Sequence, residues 1–424
     1  MQGVYFSDIL TRVITDKEIG MTLSEELQWR GFVNQTTFKD LAELDGAPIS
    51  FYWGVDPSAD SMTIGNFAAA MMVRHFIDHG HKAFLLVGGA TGMIGDPDGK
   101  ADERNLKTLD EIAKNKAGIA AQYTQVFEGK DFTIVDNYDW FQGIGYLDFL
   151  RNVGKNVPMS QMLGREFVQS RLGNDGAGIS YAEFSYSLIQ GYDFVHLYRE
   201  HGVTLQVCGA DQWGNSITGI DLIRRLEGGE AHVYSTPLII NKATGMKFGK
   251  SEGGAIWLDP KKTSVYKFYQ FWLNVDDEGA ADYAKIYTLL SKEKIEQLAA
   301  EQLANPAARP VQKALAHEVT TLVHGKKRAE SVARVTDVLF GSAEFNDLNE
   351  DDLDALAGEI PTVSAGKTAV EILVESGVAA SNGEARRLIL GGAITVNGQK
   401  ITDDLQVTEL SLIKKGKNNF ILVR

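Results

Sequence analysis

The chain has 424 residues, with 42 Lys or Arg against 56 Asp or Glu, a net charge of −14 with His neutral. A content of 44% hydrophobic and 23% charged residues is that of an ordinary folded protein and excludes disordered, collagen-like and coiled-coil chains; at about 150 residues per domain the length accommodates two or three domains. The longest apolar runs, 67–73 and 83–87, fall far short of the roughly 20 residues of a membrane helix, and the acidic balance argues against long-range, non-specific attraction to nucleic acid.

The N-terminus, MQGVYFSDILTRVITDKE, has no basic start followed by an apolar stretch, and the single cysteine, Cys208, cannot form an internal disulfide. A cytoplasmic protein without a membrane partner is expected. From residue 49 to 215, short apolar runs alternate with helical patterns. ISFYWGV (49–55), KAFLLVG (82–88), FTIV (132–135) and TLQVC (204–208) read as strands. Between the first two, Ile64, Phe67, Ala68, Met71, His75 and Phe76 recur at helical spacing. Strand–helix–strand repetition implies parallel strands joined by right-handed crossovers, hence an open α/β sheet whose ligand sits beyond the carboxyl ends of the strands.

From about 263 to 340 the pattern becomes helical, punctuated by Pro260, Pro306 and Pro310. The stretch 341–361 has seven acidic residues and no Lys or Arg, and reads as a solvated boundary segment with room for one short helix. The last sixty residues, 365–424, carry eight Lys or Arg against six Asp or Glu. There AVEILVESG and SNGEARRLILGG read as two short helices, and Ile394–Val396, Lys400–Ile401 and Phe420–Val423 as a small sheet with Asn397-Gly398 as its tight turn.

Four segments carry candidate chemistry. YWGVDPSADSMTIGN (52–66) leaves a strand and enters a helix; Gly54 and Gly65 let a flat ligand approach the backbone, and Thr63 and Asn66 offer hydrogen bonds near the helix start, where anions are favoured. GGATGMIGDPDGKADER (88–104) is not a nucleotide-hydrolysing P-loop, because Ile94 and Ala101 stand where that motif needs Gly and Ser or Thr; the string ending GKS at 251 fails at Thr244. In FSYSLIQGYDF (184–194), Tyr186, Gln190 and Asp193 lie at i, i+4 and i+7 on one helical face, suited to an amine and a hydroxyl. Finally, GADQWGN (209–215) and KFGKSEGG (247–254) bring two lysines and a hydroxyl into a Gly-flanked loop able to close over polyphosphate. His75, His79 and His81 read as packing or surface residues, and no metal site is expected.

Taken together, FSYSLIQGYDF, GADQWGN, KFGKSEGGAIWLDPKKTS and YKFYQFW, in this order and spacing, resemble bacterial tyrosyl-tRNA synthetases from residue 23 to the C-terminus. The resemblance implies a Rossmann-like catalytic domain over 23–260, an α-helical anticodon-side domain over 261–342, an acidic linker over 343–364 and a ribosomal-protein-like α+β RNA-binding module over 365–424; residues 1–22 are an extension without an assigned role. It implies activation of L-tyrosine by ATP with Mg2+, no tightly bound cofactor, transfer of tyrosine to tRNA(Tyr), and a homodimer. Tyr52 and Asp193 would hydrogen-bond the phenolic hydroxyl, Asp96, Tyr186 and Gln190 would hold the ammonium, and Thr91 would also belong to the tyrosine-binding set. Gln212 would lie near the carboxylate and α-phosphate. Gly54, Asp56, Ser58, Gly65, Gly209 and Asp211 would border the nucleotide. Lys247, Lys250 and Ser251 would form the phosphate-binding loop, with Lys100 and Arg104 over the pyrophosphate; Arg386, Arg387, Lys414, Lys415 and Lys417 would meet RNA.

Two departures accompany the resemblance. Thr63-Ile64-Gly65-Asn66 stands where the family signature has His-Ile-Gly-His, as in the related tryptophanyl enzymes, and neither Thr nor Asn carries a charge, though both can donate hydrogen bonds. Trp53 stands where many members have a small Cys, for which side-chain rearrangement is expected. A tryptophanyl enzyme and a catalytically silent RNA-binding relative are the competing readings.

Overall fold

The computed structural model describes residues 20–97, 106–172, 178–242, 244–251, 254–341 and 343–424; Lys100, Arg104 and most of the 1–22 extension lie outside the described residues. Its first compact unit comprises residues up to Leu258 together with Glu278–Glu296. After helix α1 (Leu23–Arg30), the unit is organised by a six-stranded sheet: β1 (Gln35–Thr36), β2 (Ser50–Val55), β3 (Lys82–Val87), β4 (Phe132–Asp136), β5 (Leu205–Gly209) and β6 (His232–Thr236), in the order β1-β6-β5-β2-β3-β4. Strands β2 to β6 are parallel, and β1 closes one edge antiparallel to β6. The chain winds outward from β2 through β3 to β4, then returns to lay β5 on the other side of β2. That reversal makes the carboxyl ends of β2 and β5 the place where a crevice opens.

Four longer helices cover the sheet: α2 (Ile64–Asp78), α3 (Leu109–Val126), α4 (Tyr181–His201) and α5 (Trp213–Glu227). Alternation along β2 assigns its residues to opposite faces. Phe51 packs on Phe76 of α2 (ring centroids 5.2 Å apart) and Trp53 on Tyr123 of α3 (5.5 Å), while Tyr52 packs on Phe194 of α4 (5.2 Å). All are buried, and burying such a side chain contributes about 1.5–3 kcal/mol relative to exposure. Helices α4 and α5 meet through glycines: a Cβ on Gly219 would stand 2.9 Å from Cβ of Phe194, and one on Gly191 would stand 3.1 Å from Leu222 and Thr218. This close approach holds α4 and α5 together, while Asp193 of α4 meets Asn137 and Trp140, just past β4.

The strands read from the sequence are present within a residue or two; β1 and β6 are additional. Helix α6 (Ala280–Tyr287) belongs to this first unit and packs on α1 and α2, although the sequence pattern alone groups it with the later helices.

The second unit holds residues 259–277 and 297–424. Helices Val265–Leu273, Pro310–His324 and Lys326–Phe340 pack around Phe268 and Trp272. The two short helices of the tail form as expected (369–375 and 382–390), beside a five-stranded sheet that includes 394–396, 399–400 and 419–423; Asn397 and Gly398 both adopt positive φ (47° and 80°), the conformation of a type I′ hairpin turn. Strand Ser411–Lys415 was not expected, and it forms the middle of that sheet. The acidic stretch differs from its reading as a solvated linker: its helix, Glu350–Ala357, buries Leu353 and Leu356 against Val335, Leu339, Leu412 and Phe420. Asp352, fully buried, accepts two hydrogen bonds from the Arg334 guanidinium (2.8 and 2.9 Å).

Candidate functional site

A cleft of about 450 Å³ opens at the carboxyl ends of β2, β3, β5 and β6. All seven residues expected around the amino acid line it: Tyr52, Thr91, Asp96, Tyr186, Gln190, Asp193 and Gln212. So do Thr63 and Asn66, the nucleotide-side Gly54, Asp56, Ser58, Gly65, Gly209 and Asp211, and Lys247. Residues from four strand ends and two helices, up to 195 positions apart in sequence, thus converge on one space.

The inner half of the cleft is closed. Asp193, 1% exposed, accepts hydrogen bonds from Asn137 Nδ2 (3.1 Å) and Trp140 Nε1 (3.0 Å), which leave acceptor capacity on its carboxyl. Burial drives its pKa well up, against the lowering effect of those two donors. Beside it the Tyr52 hydroxyl is fully buried and has no hydrogen-bond partner, and burial and the Asp193 charge hold its pKa well above the ordinary phenol value. A buried, unpaired hydroxyl costs about 1–3 kcal/mol, so the pocket is built to receive a polar atom there.

A second set of groups surrounds Asp56. Its Oδ2 accepts from the Tyr186 hydroxyl (2.7 Å) and its Oδ1 from Thr91 Oγ1 (2.6 Å), while Thr91 accepts from Asn137 Nδ2 (3.0 Å). Gln212 Nε2 donates to Asp96 Oδ2 (2.5 Å). Burial and the Asp56 and Asp96 charges push the Tyr186 phenol well up, keeping it a donor. Four carboxyls, Asp56, Asp96, Asp193 and Asp211, therefore line the cleft, and Lys247 is the one cation among its described lining residues. Such a field attracts an ammonium group.

Three contributors were not legible beforehand. Asn137, fully buried, bridges Thr91 and Asp193 and accepts from Ala90 N (2.6 Å); Trp140 holds Asp193; Gln206 on β5 presents a buried Oε1 with no partner. Asn137 directly follows β4, so its position past a strand end is the signal that could have singled it out. Trp53 is buried against Tyr123 on the α3 side of the sheet and forms part of the cleft wall.

At the mouth, Asn66 Oδ1 accepts from both Thr63 N and Thr63 Oγ1 (3.0 Å each). The Thr63 hydroxyl proton is thereby used within the pair, so Asn66 Nδ2, rather than both side chains, is left to donate to a ligand. Loop 56–62 is tied down from α3, through Asn115 to Pro57 O (3.0 Å) and through Gln122 to Met62 N (2.6 Å) and Ser61 (2.8 Å). The lysine-bearing loop is stitched to the start of α2: Ile64 N donates to Ile256 O (3.1 Å), Leu258 N to Met62 O (2.9 Å) and Ile256 N to Gly249 O (3.2 Å). Phe248 anchors its base, stacked on Tyr283 of α6 at 4.2 Å. Gly249 follows at φ 88°, where a Cβ would meet Ile64 Cγ1 at 2.6 Å, so no other residue fits. Lys250 and Ser251 then pair with Ala255 and Gly254 as a two-residue ladder.

Among the tail cations, Arg386, Arg387 and Lys417 are exposed. Lys414 and Lys415 are half-buried, donating to Leu339 O (3.3 Å) and Val378 O (2.9 Å), and so are drawn partly inward. No cluster of His, Cys, Asp and Glu able to hold a metal occurs among the described residues, and no described helix is long and apolar enough to cross a membrane.

An open α/β sheet with this cleft at its switch point matches the family of class I tRNA synthetases (W and Y) over residues 44–341, and the chain belongs to that family. Residues 352–424 match the Tyrosine--tRNA ligase SYY-like C-terminal domain. The chain is 42% identical over 426 residues to the Tyrosine--tRNA ligase of Flavobacterium psychrophilum, covering 95% of this chain and 99% of that one. It is 43% identical over 422 residues to Tyrosine--tRNA ligase 2 of Bacillus cereus, covering 95% and 100%. A C-terminally truncated Aspergillus nidulans mitochondrial tyrosyl-tRNA synthetase superimposes with a TM-score of 0.68 at 28% identity, over 75% of this chain and 94% of that one. Within the class, the chain is a member of the tyrosine–tRNA ligases, a ligase rather than a silent RNA-binding relative.

Proposed function

We propose that the cleft condenses L-tyrosine with ATP to tyrosyl-adenylate and pyrophosphate, and then passes the tyrosyl group to the 3′-terminal ribose of tRNA(Tyr). The observation that carries the amino-acid assignment is the unpaired, buried Tyr52 hydroxyl beside Asp193. A phenolic hydroxyl both donates and accepts, so one group satisfies both: it donates to Asp193 and accepts from Tyr52. An indole N–H only donates and would leave Tyr52 unpaired, which favours tyrosine over tryptophan despite the Thr63–Asn66 signature. Asp96, Tyr186, Gln190 and Thr91 surround the ammonium.

The chemistry asks little of side chains as acids or bases. An oxygen of the substrate carboxylate attacks the α-phosphorus of ATP, the bond to the bridging oxygen breaks, and pyrophosphate leaves with that electron pair. What the protein supplies is position and neutralisation of spreading negative charge. Gln212 and Asn66 offer amide donors, and Lys247, Lys250 and Ser251 come from the loop, with Lys100 and Arg104 joining over the pyrophosphate. Gly54, Gly65 and Gly209 leave room for the nucleotide, whose ribose side faces Asp211; Asp56 and Ser58 complete that border. Mg2+ enters with ATP and shares the charge of the phosphates. Arg386, Arg387 and Lys417 are the tail groups best placed to meet a phosphate backbone, with Lys414 and Lys415 in support.

The exposed Tyr146 and Tyr181, whose hydroxyls lie 3.4 Å apart, with Leu147 next to Tyr146 in the chain, offer apolar groups suited to a second copy of the chain. The deciding experiment is exchange of labelled pyrophosphate into ATP with each amino acid in turn. Exchange with tyrosine, and far less with phenylalanine or tryptophan, is expected; exchange with tryptophan alone would replace the reading.

A further inference from the structure

Gln212 donates to Asp96 inside the cleft, yet an amide can present either its NH2 or its oxygen, and nothing in Gln212 itself decides which. A chain of three hydrogen bonds does. Arg165 lies just ahead of helix 166–172, in a segment that carries none of the four candidate motifs. Its Nη2 donates to Gly214 O and Thr218 Oγ1 (2.7 Å each), and its Nη1 donates to Asn215 Oδ1 (2.5 Å). Asn215, buried in the first turn of α5, donates from Nδ2 to Gln212 Oε1 (3.2 Å), and Gln212 Nε2 donates to Asp96 Oδ2.

A guanidinium has five donors and no acceptor. Asn215 must therefore turn its oxygen toward Arg165 and its NH2 toward Gln212. Gln212 must then turn its oxygen toward Asn215, which aims its NH2 at Asp96 and the cleft. The cation also occupies the first turn of a 15-residue helix, where the macrodipole disfavours positive charge. Its three hydrogen bonds hold it there against that field.

We infer that Arg165 is a positioning residue for amino-acid activation: acting through Asn215, it locks the Gln212 amide so that its NH2, not its oxygen, faces the anionic groups of the substrates. The inference rests on the proposed placement of Gln212 beside the substrate carboxylate and α-phosphate. A flipped Gln212 would set an acceptor against a carboxylate and a phosphate, and so would lose its donor where negative charge develops.

The test is tyrosine-dependent pyrophosphate exchange with the full chain carrying Arg165→Ala, Arg165→Lys, Asn215→Asp, Gln212→Ala and the double Arg165→Ala/Gln212→Ala. Arg165→Ala is expected to lower kcat about tenfold to a hundredfold, with the KM for tyrosine changed less. Lys, also donor-only, restores part of the rate. Asn215→Asp, close in shape but with acceptors toward Gln212, draws the NH2 away from the cleft and lowers kcat at unchanged melting temperature; it keeps the test valid if Arg165→Ala folds poorly. In the Gln212→Ala background, Arg165→Ala adds no further loss. Additive losses, or wild-type exchange by Asn215→Asp, overturn the relay while leaving the site reading intact. Wild-type exchange by Gln212→Ala overturns both.

Discussion

The two halves of the cleft are built on opposite physical plans. In the inner half, Tyr52, Asp193 and Asn137 are at most 2% exposed, and both hydrogen bonds to Asp193 run between side chains. In the outer half, the Lys247 and Asp211 side chains are 51% and 42% exposed and only 3.9 Å apart, and the loop pivots after Phe248 at a glycine with positive φ. Telling one hydroxyl from a hydrogen atom demands polar groups fixed in a dry pocket, because the discrimination comes from the cost of leaving them unpaired. Neutralising a leaving pyrophosphate demands cations that arrive with the charge and then let the product go. On the proposed function, selectivity belongs to the inner half and rate to the outer, and the two can be broken separately.

The largest effect is expected in the outer half. Lys250→Ala should lower the rate of adenylate formation by about two to three orders of magnitude, the usual loss for a group acting on developing charge, while tyrosine binding stays near wild type; single-turnover quenched flow with equilibrium dialysis separates the two. An unchanged single-turnover rate would remove Lys250 from the machinery. Asp193→Asn should do the reverse. It exchanges a carboxyl for an amide of the same shape and should reduce tyrosine-over-phenylalanine selectivity by about 1–3 kcal/mol, roughly 5- to 150-fold, as a buried hydroxyl loses its acceptor. An equal loss for both amino acids would mean that Asp193 supports the pocket rather than reads the hydroxyl.

A smaller effect tests the pivot itself. Phe248→Leu preserves apolar bulk but loses the stack on Tyr283, and should cost roughly tenfold in kcat by loosening the aim of Lys247 and Lys250. Tyrosine–phenylalanine selectivity should not move. A change in selectivity would show that the two halves are not independent.

The same division explains what the sequence revealed. Tyr186, Gln190 and Asp193, on one helical face, were legible from their own local period, and Tyr52, within β2, from the family resemblance. Asn137 and Trp140 were not, because each acts by hydrogen-bonding a residue more than forty positions away, and only the sheet order brings β4 within reach of α4. Lys414 and Lys415 stand as a basic pair in the sequence, yet an unanticipated strand directs their ammonium groups to backbone carbonyls. Composition misled in the acidic stretch: its charge is real, but Leu353 and Leu356 bury one face and Arg334 neutralises Asp352, so a segment that reads as solvent-loving is part of a core.

The smallest effect concerns the scaffold under the outer half, and it depends on pH. Arg30 of α1 donates to the carbonyls of Lys285 (2.7 Å), Thr288 (3.0 Å) and Leu290 (3.0 Å), at and beyond the end of α6, the helix on which Phe248 stacks. Glu26 receives Arg30 Nε (2.8 Å) and contacts His75 Nδ1 (3.2 Å). Burial works to raise the Glu26 pKa, but hydrogen bonds and charge from His75 and Arg30 outweigh it and hold the carboxyl at about 2, against 4.5 unperturbed. Burial lowers the His75 pKa below 6.5 despite that contact, so His75 is neutral at pH 7 and Arg30 is the cation of the pair. Both groups have depressed folded values, and both contributions are therefore lost on acidification: the His75 part as pH falls below about 6.5, the Glu26 part as it falls from about 4.5 toward 2. Melting temperature should fall across that window in the wild type and more shallowly in Glu26→Gln, which begins less stable at pH 7. Between pH 6.5 and 5 the adenylation rate should decline before tyrosine–phenylalanine selectivity does, since Arg30 and Glu26 brace the helix beneath the loop and touch nothing in the phenol pocket; selectivity declining first would place the acid-sensitive strut under the wrong half.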